Sequence, residues 1–474
     1  MVPTSIFRAY DIRGLAKDWN GTAAQLTPQV AHLVGKGYGT YCQRTFGTDR
    51  VFIGSDNRLT SAPLKQAVIE GLVSTGLHVT DIGGVMTPSV YFAAASYGAK
   101  GGGIQITGSH LDLQYNGIKM AYGKLALSGD QIQAILSLIL NDDFIALQGT
   151  LDQDLDLPHR HMQTIAGKVH LGARKLKIVV DAGNGLSGAF MPGVYESLGI
   201  QVECLYCEPD GTFPNHLPNP EDPTTTHDLE AKVLETHADL GIAFDGDADR
   251  CGIIDEHGHH IAADRLLALL ARDLLMRQPG AKIVFDVKAS QALTDEILNF
   301  GGIPVMWKSG HSLMKLKMNE IGSLLGGEVS GHLFIGEDYY GFDDAGLVSL
   351  KVLEIFSKLD RSVSEVFADF PTLPATPEII MSAPDDLKFA MIDAMKQKLS
   401  ESYQVIDVDG ARAVFPDGWG LVRASNTQPA ITMRFEARTK AQLVQYMQAF
   451  DALLENYPQV DRAKLRAQIA AFSE

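Results

Sequence analysis

Strand-like and helix-like segments alternate through the first three quarters of this 474-residue chain. Residues 50–54 and 78–83 are predicted strands, and an apolar helical pattern over residues 62–76 lies between them. This alternation is typical of parallel or mixed sheets that are covered by helices. It restarts near residues 177 and 282, at intervals of roughly 110 residues, which is a common size for one domain. The pattern therefore predicts three similar α/β units.

The order of predicted elements changes beyond about residue 371. A helical pattern covers residues 386–399, several strands follow between residues 403 and 437, and two helices end the chain. A chain of this length also exceeds what one hydrophobic core usually organises. We predict an α/β protein of four domains, three of them mixed-sheet α/β domains and the last α+β, with boundaries at residues 1–150, 151–255, 256–370 and 371–474.

The net charge of -17 argues against a polyanionic partner, because such a chain repels nucleic acid and anionic membranes at long range. No apolar run approaches the ~18 residues of a membrane span, and the first residues lack the apolar core of a signal peptide. Four scattered cysteines fit a reducing compartment. These observations predict a cytoplasmic protein that binds neither nucleic acid nor membrane.

The segment DGDADR, residues 245–250, places Asp245, Asp247 and Asp249 at every second position directly after an apolar strand-like run. In an extended segment alternate side chains point the same way, so three carboxylates would converge. A hard divalent cation with oxygen ligands would relieve their repulsion. An EF-hand loop is excluded because Arg250 stands where its sharp bend requires glycine, and because both flanks are strand-like.

Three further loops carry groups suited to anions or sugars. Ser109 and His110 follow a strand and a glycine, in a position that would present a hydroxyl. RASNTQP, residues 423–429, sets a guanidinium beside hydrogen-bonding side chains, which suits a phosphate monoester. GEVSGH, residues 327–332, offers the Glu328 carboxylate and the Ser330 hydroxyl to neighbouring sugar hydroxyls. Each loop alone is also compatible with an ordinary connection.

Together these loops resemble the signatures of the α-D-phosphohexomutase family, in the same order along the whole chain. The matching segments are FRAYDIRG at residues 7–14, TGSH at 107–110, DGDADR, GEVSGH and RASNTQP. FDVKAS at residues 285–290 and KSGHS at 308–312 are most similar to the bacterial phosphomannomutase/phosphoglucomutase branch. The resemblance implies four domains around a central cleft, the last of them similar to the TATA-binding protein.

The resemblance also implies an activity and a set of roles. Ser109 would carry a phosphoryl group, and Mg2+ would be held by that group together with Asp245, Asp247 and Asp249. The enzyme would interconvert hexose 1-phosphates and 6-phosphates of mannose or glucose through a 1,6-bisphosphate, which would also act as activator. We expect small hexose phosphates as partners and a monomer or a dimer. The implied catalytic residues are Ser109, His110, Arg13, Lys119, Arg250, Lys288, His311 and His332. The implied substrate-binding residues are Tyr10, Lys288, Gly310, His311, Glu328, Ser330, Arg423, Ser425, Asn426 and Thr427.

One segment departs from the family pattern. Where the family usually has TASHNP, this chain has TGSHLD, so Gly108 precedes the serine and Leu111-Asp112 replaces an Asn-Pro pair. The change alters the backbone restraint on both sides of the candidate nucleophile. A phosphoglucosamine mutase, a phosphatase that passes the phosphoryl group to water, and a sugar-phosphate binder without turnover therefore remain alternatives.

Overall fold

The computed structural model describes residues 2–425 and 429–473. Their strands form four sheets, of which the first three are mixed and the last is antiparallel. The four-domain fold with helix-covered mixed sheets is thus confirmed, whereas the boundaries and the likeness to the TATA-binding protein stay predictions.

The first sheet has the strand order β1-β5-β4-β2-β3-β7, with β6 on β5. It is covered by helices α1 to α4, and α5 follows its last strand. Its elements in chain order are a 3-10 turn at Thr4–Ile6, β1 Ile12–Leu15, α1 Pro28–Phe46, β2 Arg50–Ser55, α2 Ser61–Val73, β3 His78–Gly84, α3 Thr87–Tyr97, β4 Gly101–Ile106, β5 Tyr115–Tyr122, β6 Leu125–Ala126, α4 Asp130–Leu140, β7 Thr150–Gln153 and α5 Leu157–Ala166.

The second sheet has the order β12-β11-β10-β8-β9. Its elements are β8 Lys177–Asp181, α6 Ser187–Ser197, β9 Gln201–Leu205, α7 Pro223–Thr236, β10 Leu240–Phe244, β11 Cys251–Asp255 and β12 His260–Ile261. The third sheet has the order β14-β13-β15-β16. Its elements are α8 Ala263–Arg277, β13 Lys282–Asp286, α9 Gln291–Asn299, β14 Ile303–Trp307, α10 His311–Ile321, β15 Leu325–Gly327, β16 Leu333–Ile335, α11 Ala345–Ser357 and α12 Val363–Phe367.

The fourth sheet has the order β17-β21-β20-β19-β18 and is entirely antiparallel. Its elements are β17 Ile379–Ser382, α13 Lys388–Ser400, β18 Gln404–Ile406, β19 Ala411–Phe415, β20 Gly418–Ala424, β21 Ala430–Ala437, α14 Lys440–Leu454 and α15 Ala463–Ser473. No helix among the described residues is long and apolar enough to cross a lipid bilayer.

The first three sheets repeat one four-strand pattern. The strands β3-β2-β4-β5, β9-β8-β10-β11 and β14-β13-β15-β16 are equivalent in order, with two parallel pairings followed by one antiparallel pairing. In each unit the antiparallel pair is joined by one of the loops that the sequence singles out. The serine loop links β4 to β5, the aspartate loop links β10 to β11, and GEVSGH links β15 to β16.

The hydrophobic cores are shared between some of these units and separate in others. The first sheet and the fourth sheet each have a hydrophobic core of their own. The second and third sheets share one continuous core, in which Ile242 and Phe285 pack in the same cluster with helix α11. Because burial of apolar surface is the main stabilising contribution to folding, the second and third units form the central body of the molecule.

Candidate active site

The aspartate loop is a tight hairpin turn and not an extended segment. Phe244 pairs with Cys251, and the Asp245 amide donates to the carbonyl of Arg250 at 3.2 Å, so residues 245–250 reverse the chain. Ala248 has a left-handed φ of 56°. The expectation of alternate side chains along a strand is therefore wrong. The carboxylates nevertheless converge, because the turn folds their ligand oxygens to within 4.8 Å of one another.

Two buried cations compensate the three carboxylates. Lys119 donates to Asp247 at 2.7 Å and also to Asp249, and Arg250 donates through Nε to Asp245 at 3.0 Å. Burial lowers the pKa of Lys119, but the neighbouring Asp247 and Asp249 outweigh it and raise the pKa overall. Burial raises the pKa of Asp245 to about 7 although Arg250 opposes the shift. The pocket therefore buries these carboxylates together with cations of opposite charge, away from solvent.

The triad has the features that a metal ion requires. All three aspartates are essentially inaccessible to solvent, and the Oδ1 atoms of Asp247 and Asp249 have no hydrogen-bond partner within the described residues. Unsatisfied buried carboxylate oxygens are costly unless a cation or another donor meets them. A set of three carboxylates suits a hard divalent cation such as Mg2+.

Ser109 lies directly against this triad. Its hydroxyl donates to Asp245 Oδ2 at 2.8 Å, and it lies 3.1 Å from Nδ1 of His110 and 3.3 Å from Nη2 of Arg250. Ser109 is 3% exposed and has a left-handed φ of 49°. Burial lowers the pKa of His110 well below its usual range, and Arg250 adds to that shift. A neutral imidazole next to the serine can accept a proton.

A second group of titratable side chains extends from Asp249 into the third unit. His332 Nδ1 lies 3.0 Å from Asp343 Oδ2, and Lys315 donates to the other oxygen of Asp343 at 2.7 Å. Burial lowers the pKa of His332, but Asp249 and Asp343 outweigh it and raise the pKa overall. The ring of His311 stacks on His332 at 5.5 Å, and burial with Lys315 nearby holds the pKa of His311 well below its usual range. The two histidines therefore favour opposite protonation states.

The third loop brings most of the predicted sugar-binding residues together. Glu328 accepts a hydrogen bond from the Gly310 amide at 2.6 Å, and burial raises its pKa to about 7. Tyr10 of the first unit donates to the Ser309 carbonyl at 2.8 Å, and its ring meets His311 edge-on.

The remaining predicted residues lie on two sides of this loop. Arg250 Nη1 donates to the Ser330 carbonyl at 3.4 Å, and this bond joins the aspartate loop to the GEVSGH loop. Lys288 pairs with Glu378 at 3.2 Å. Burial lowers the pKa of Lys288, but the neighbouring Glu378 and Asp286 outweigh burial and raise the pKa overall. Arg13 pairs with Asp11 at 2.6 Å, within electrostatic range of the aspartate triad.

Arg423 and Ser425 belong to the fourth unit. Arg423 pairs with Asp409 at 2.9 Å, and Asp409 also accepts from the Ser309 amide at 3.1 Å, so Asp409 links Arg423 to the third unit beside Gly310. The Ser425 amide donates to the Ala430 carbonyl at 2.9 Å. Asn426 and Thr427 lie outside the described residues.

Several residues at this site do not appear among the sequence predictions. Thr87, the first residue of α3, donates to Asp247 from both its amide and its hydroxyl. Asp56 directly follows the parallel strand β2, and Asp286 is the last residue of the parallel strand β13. Because sites are often built at strand ends, this position could have identified both residues. Arg58 and Asp343 lie in loops. Arg58 binds backbone carbonyls and Asp343 binds the distant side chain of Lys315, and no local sequence signal indicates either contact.

Four family descriptions match consecutive parts of the chain. They are phosphoglucomutase/phosphomannomutase alpha/beta/alpha domain I over residues 4–146, domain II over 159–258, domain III over 262–373 and the C-terminal domain over 384–453. A phosphomannomutase/phosphoglucomutase of Pseudomonas putida is 44% identical over 450 residues, which are 95% of each chain. A phosphoglucomutase of Neisseria meningitidis serogroup A is 40% identical, covering 96% of this chain and 98% of the relative.

The solved structures agree with this relationship. A phosphoglucomutase/phosphomannomutase family protein from Burkholderia thailandensis superposes with a TM-score of 0.88 at 38% identity, covering 97% of this chain and 99% of the other. Four units that bring a buried serine against an aspartate triad define the phosphohexomutase class of protein. Within that class the chain belongs to the phosphoglucomutase/phosphomannomutase family.

Proposed function

We propose that this protein interconverts the 1-phosphate and the 6-phosphate of a hexose, with mannose and glucose phosphates as substrates. The observation that carries the proposal is the Ser109 hydroxyl, which is buried and lies 2.8 Å from one carboxylate of the aspartate triad. The names of the full-length relatives support the same reaction, because they include both phosphomannomutase and phosphoglucomutase.

In this proposal Asp245, Asp247 and Asp249 would hold Mg2+ next to a phosphorylated Ser109. When bound there, the ion would neutralise phosphate charge and make the phosphorus more electrophilic. Their unpartnered buried oxygens support this role. A phosphoserine brings about two negative charges, so Arg250 beside the Ser109 hydroxyl would also stabilise the group during transfer.

The reaction then consists of two phosphoryl transfers, one from Ser109 to the sugar and one of the other phosphate from the sugar back to Ser109. A free hydroxyl of the bound sugar monophosphate attacks the phosphorus of phosphoserine, the bond from phosphorus to Ser109 Oγ breaks, and the proton lost by the sugar hydroxyl passes through a neighbouring base to Ser109 Oγ. The resulting 1,6-bisphosphate reorients within the site. Ser109 Oγ then attacks the phosphorus of the other phosphate, the bond from that phosphorus to the sugar oxygen breaks, and the serine proton passes to that oxygen. His110, Lys119 and His332 lie beside the serine or the triad and would accept or return this proton, and burial limits access of water to the phosphoserine.

The other predicted residues would hold the sugar in both orientations. Arg423 and Ser425 would bind the phosphate that is distant from Ser109, and the sequence suggests that Asn426 and Thr427 assist. Glu328, Ser330, Lys288 and His311 would contact sugar hydroxyls, with Tyr10 and Gly310 at the same side of the site. Added glucose or mannose 1,6-bisphosphate would activate the enzyme, because it phosphorylates any Ser109 that has lost its phosphoryl group.

Intact-mass measurement and turnover together test this function. The wild-type protein should carry one phosphate and, with Mg2+ and a trace of bisphosphate, convert mannose 1-phosphate to mannose 6-phosphate. Ser109→Ala should lose the phosphate and the turnover, whereas Ser137→Ala, an exposed serine of α4 in the same unit, should lose neither. Release of inorganic phosphate would indicate a phosphatase, and binding without turnover would indicate a sugar-phosphate binder. Absence of turnover with glucose, mannose and glucosamine phosphates would contradict the proposal.

A further inference from the structure

The loop that carries Ser109 adopts a strained conformation. Ser109 has a left-handed φ of 49°, and residues 107–114 form turns between β4 and β5. A left-handed conformation is unfavourable for a residue other than glycine, so the surrounding structure must hold it. This chain has Leu111-Asp112 where a proline would fix the backbone, and therefore lacks that local restraint.

One buried side chain, that of Arg58, binds four backbone carbonyls in and around this loop. Arg58, which is 4% exposed, donates to the carbonyls of Ser109 at 2.9 Å, Asp112 at 3.0 Å and Tyr115 at 3.3 Å, and also to the carbonyl of Leu111. Four carbonyl oxygens on both sides of the turn thus converge on one guanidinium. Only arginine offers several donors in a rigid planar fork, whereas lysine has one nitrogen.

The backbone of Arg58 is held by the carboxylate of Asp56. The buried Asp56 accepts from the Arg58 amide and from the Gly108 amide, both at 3.0 Å, and also from the Ser61 hydroxyl. A Cβ atom at position 108 would lie 2.4 Å from Arg58 Nε, so Gly108 provides the space that the guanidinium occupies. The glycine before Ser109 and the arginine from the preceding loop therefore fit one another sterically.

We propose that Arg58 is the positioning residue of the nucleophile loop, and that it replaces the missing proline restraint by binding the four carbonyls. This proposal rests on the proposed function only for its effect on turnover. Arg58 acts through the backbone and touches neither the serine hydroxyl nor the aspartate triad in the contacts described. Its loss should let Ser109 leave the geometry needed for transfer while the sugar and phosphate contacts of the other units persist.

Two variants and a matched control test the proposal. In the full-length protein, Arg58→Met removes all donors and Arg58→Lys keeps the charge but only one donor nitrogen. Arg44→Met is the control, because Arg44 lies exposed on α1 and pairs only with Asp143 in the described contacts. Both Arg58 variants should lower kcat by about 100-fold with KM changed less than about threefold, and the control should change neither.

Amide hydrogen exchange supplies a readout that does not depend on turnover. Exchange should accelerate at Gly108, Leu111 and Tyr115 in both Arg58 variants, since these amides are hydrogen-bonded in or around the loop. Unchanged exchange there would overturn the proposal, even if turnover fell. If the wild type turns over and the Arg58 variants have the same kcat, the proposal would be overturned as well. If Arg58→Met fails to fold, Arg58→Lys decides by the same criteria. If the wild type has no mutase activity, the proposed function fails, and exchange alone still decides the role of Arg58.

Discussion

At the scale of single residues, Thr87 orients Asp247, the middle carboxylate of the triad that we propose to hold Mg2+. Its amide donates to the Asp247 carbonyl at 2.8 Å and its hydroxyl donates to Asp247 Oδ2, and both residues are fully buried. These bonds occupy one carboxylate oxygen and leave Oδ1 without a partner in the described contacts. A side chain that orients a metal ligand in this way raises the affinity of the site for the ion.

Thr87→Val keeps the shape of the side chain and removes the hydroxyl. We expect Mg2+ to bind about tenfold more weakly, because Asp247 then loses the bond that orients it. Calorimetric titration of the full-length protein with Mg2+ measures this directly. Thr75→Val is the control, since Thr75 is equally buried and its hydroxyl bonds only to the Leu72 carbonyl in the contacts described. Equal Mg2+ affinity of Thr87→Val and the wild type would contradict this role for Thr87.

A residue outside the site gives a pH dependence of stability. His216 lies 3.0 Å from the buried Asp181, and although burial lowers its pKa, Asp181 outweighs burial and raises the pKa above the ordinary 6.5. Protonated His216 therefore stabilises the folded state below the unfolded pKa, and this contribution disappears as the pH rises through the folded pKa. His216→Gln should lower the free energy of unfolding more at about pH 5.5 than at about pH 8.5, in denaturant titrations at both. A larger difference at the higher pH would show the opposite linkage.

At the scale of elements, the sequence predicts the regular segments well where periodicity and burial agree. The predicted strands over residues 50–54 and 78–83 match β2 and β3 to within one residue, and the helical pattern over 62–76 matches α2 except for three residues past its end. The aspartate loop is different, because alternating carboxylates follow a strand and so imitate its period, while the antiparallel pairing of β10 with β11 imposes a turn. That pairing joins neighbouring strands through hydrogen bonds that no single segment encodes.

The site divides in the same way between local and distant contributions. Ser109 and the three aspartates are indicated by their position directly after buried strands. Arg58, Thr87 and Asp343 act across the fold, with partners that are far away in sequence. Thr87 binds across two units, whereas Arg58 binds within the first unit and Asp343 binds within the third. All three contacts depend on tertiary packing, which leaves no local pattern.

Two glycines in helices have different expected costs of substitution. A Cβ atom at Gly71 of α2 would lie 2.2 Å from the His32 carbonyl of α1, whereas one at Gly193 of α6 would meet nothing within 4 Å. Gly71→Ala should reduce the free energy of unfolding by about 1–3 kcal/mol, because the two helices must move apart. Gly193→Ala should raise it by up to about 1 kcal/mol through the higher helix propensity of alanine. Chemical denaturation measures both, and equal effects would refute the close contact of α1 with α2.

At the scale of the whole molecule, one buried polar network joins the first unit to the third. His161 of α5 lies 3.0 Å from the Ser89 hydroxyl of α3 and 2.9 Å from Asp344, which caps the N-terminus of α11. Tyr339 also bonds to both His161 and Asp344. Asp344 is adjacent to Asp343, which pairs with His332 and Lys315 at the site, so the network that joins the units extends to His332.

His161→Ala should destabilise the protein far more than the same change at His159. The two histidines are on the same helix, but His161 is fully buried in the network and His159 is exposed. Loss of His161 leaves a cavity and removes a partner from two buried polar groups, and we expect the free energy of unfolding to fall by about 2–4 kcal/mol. His159→Ala should change it by less than about 0.5 kcal/mol, as is usual at the surface. Because α3 also carries Thr87, loosening of this junction should weaken Mg2+ binding in His161→Ala and not in His159→Ala. A stability loss with unchanged Mg2+ affinity would show that the junction holds the units together without setting the geometry of the triad.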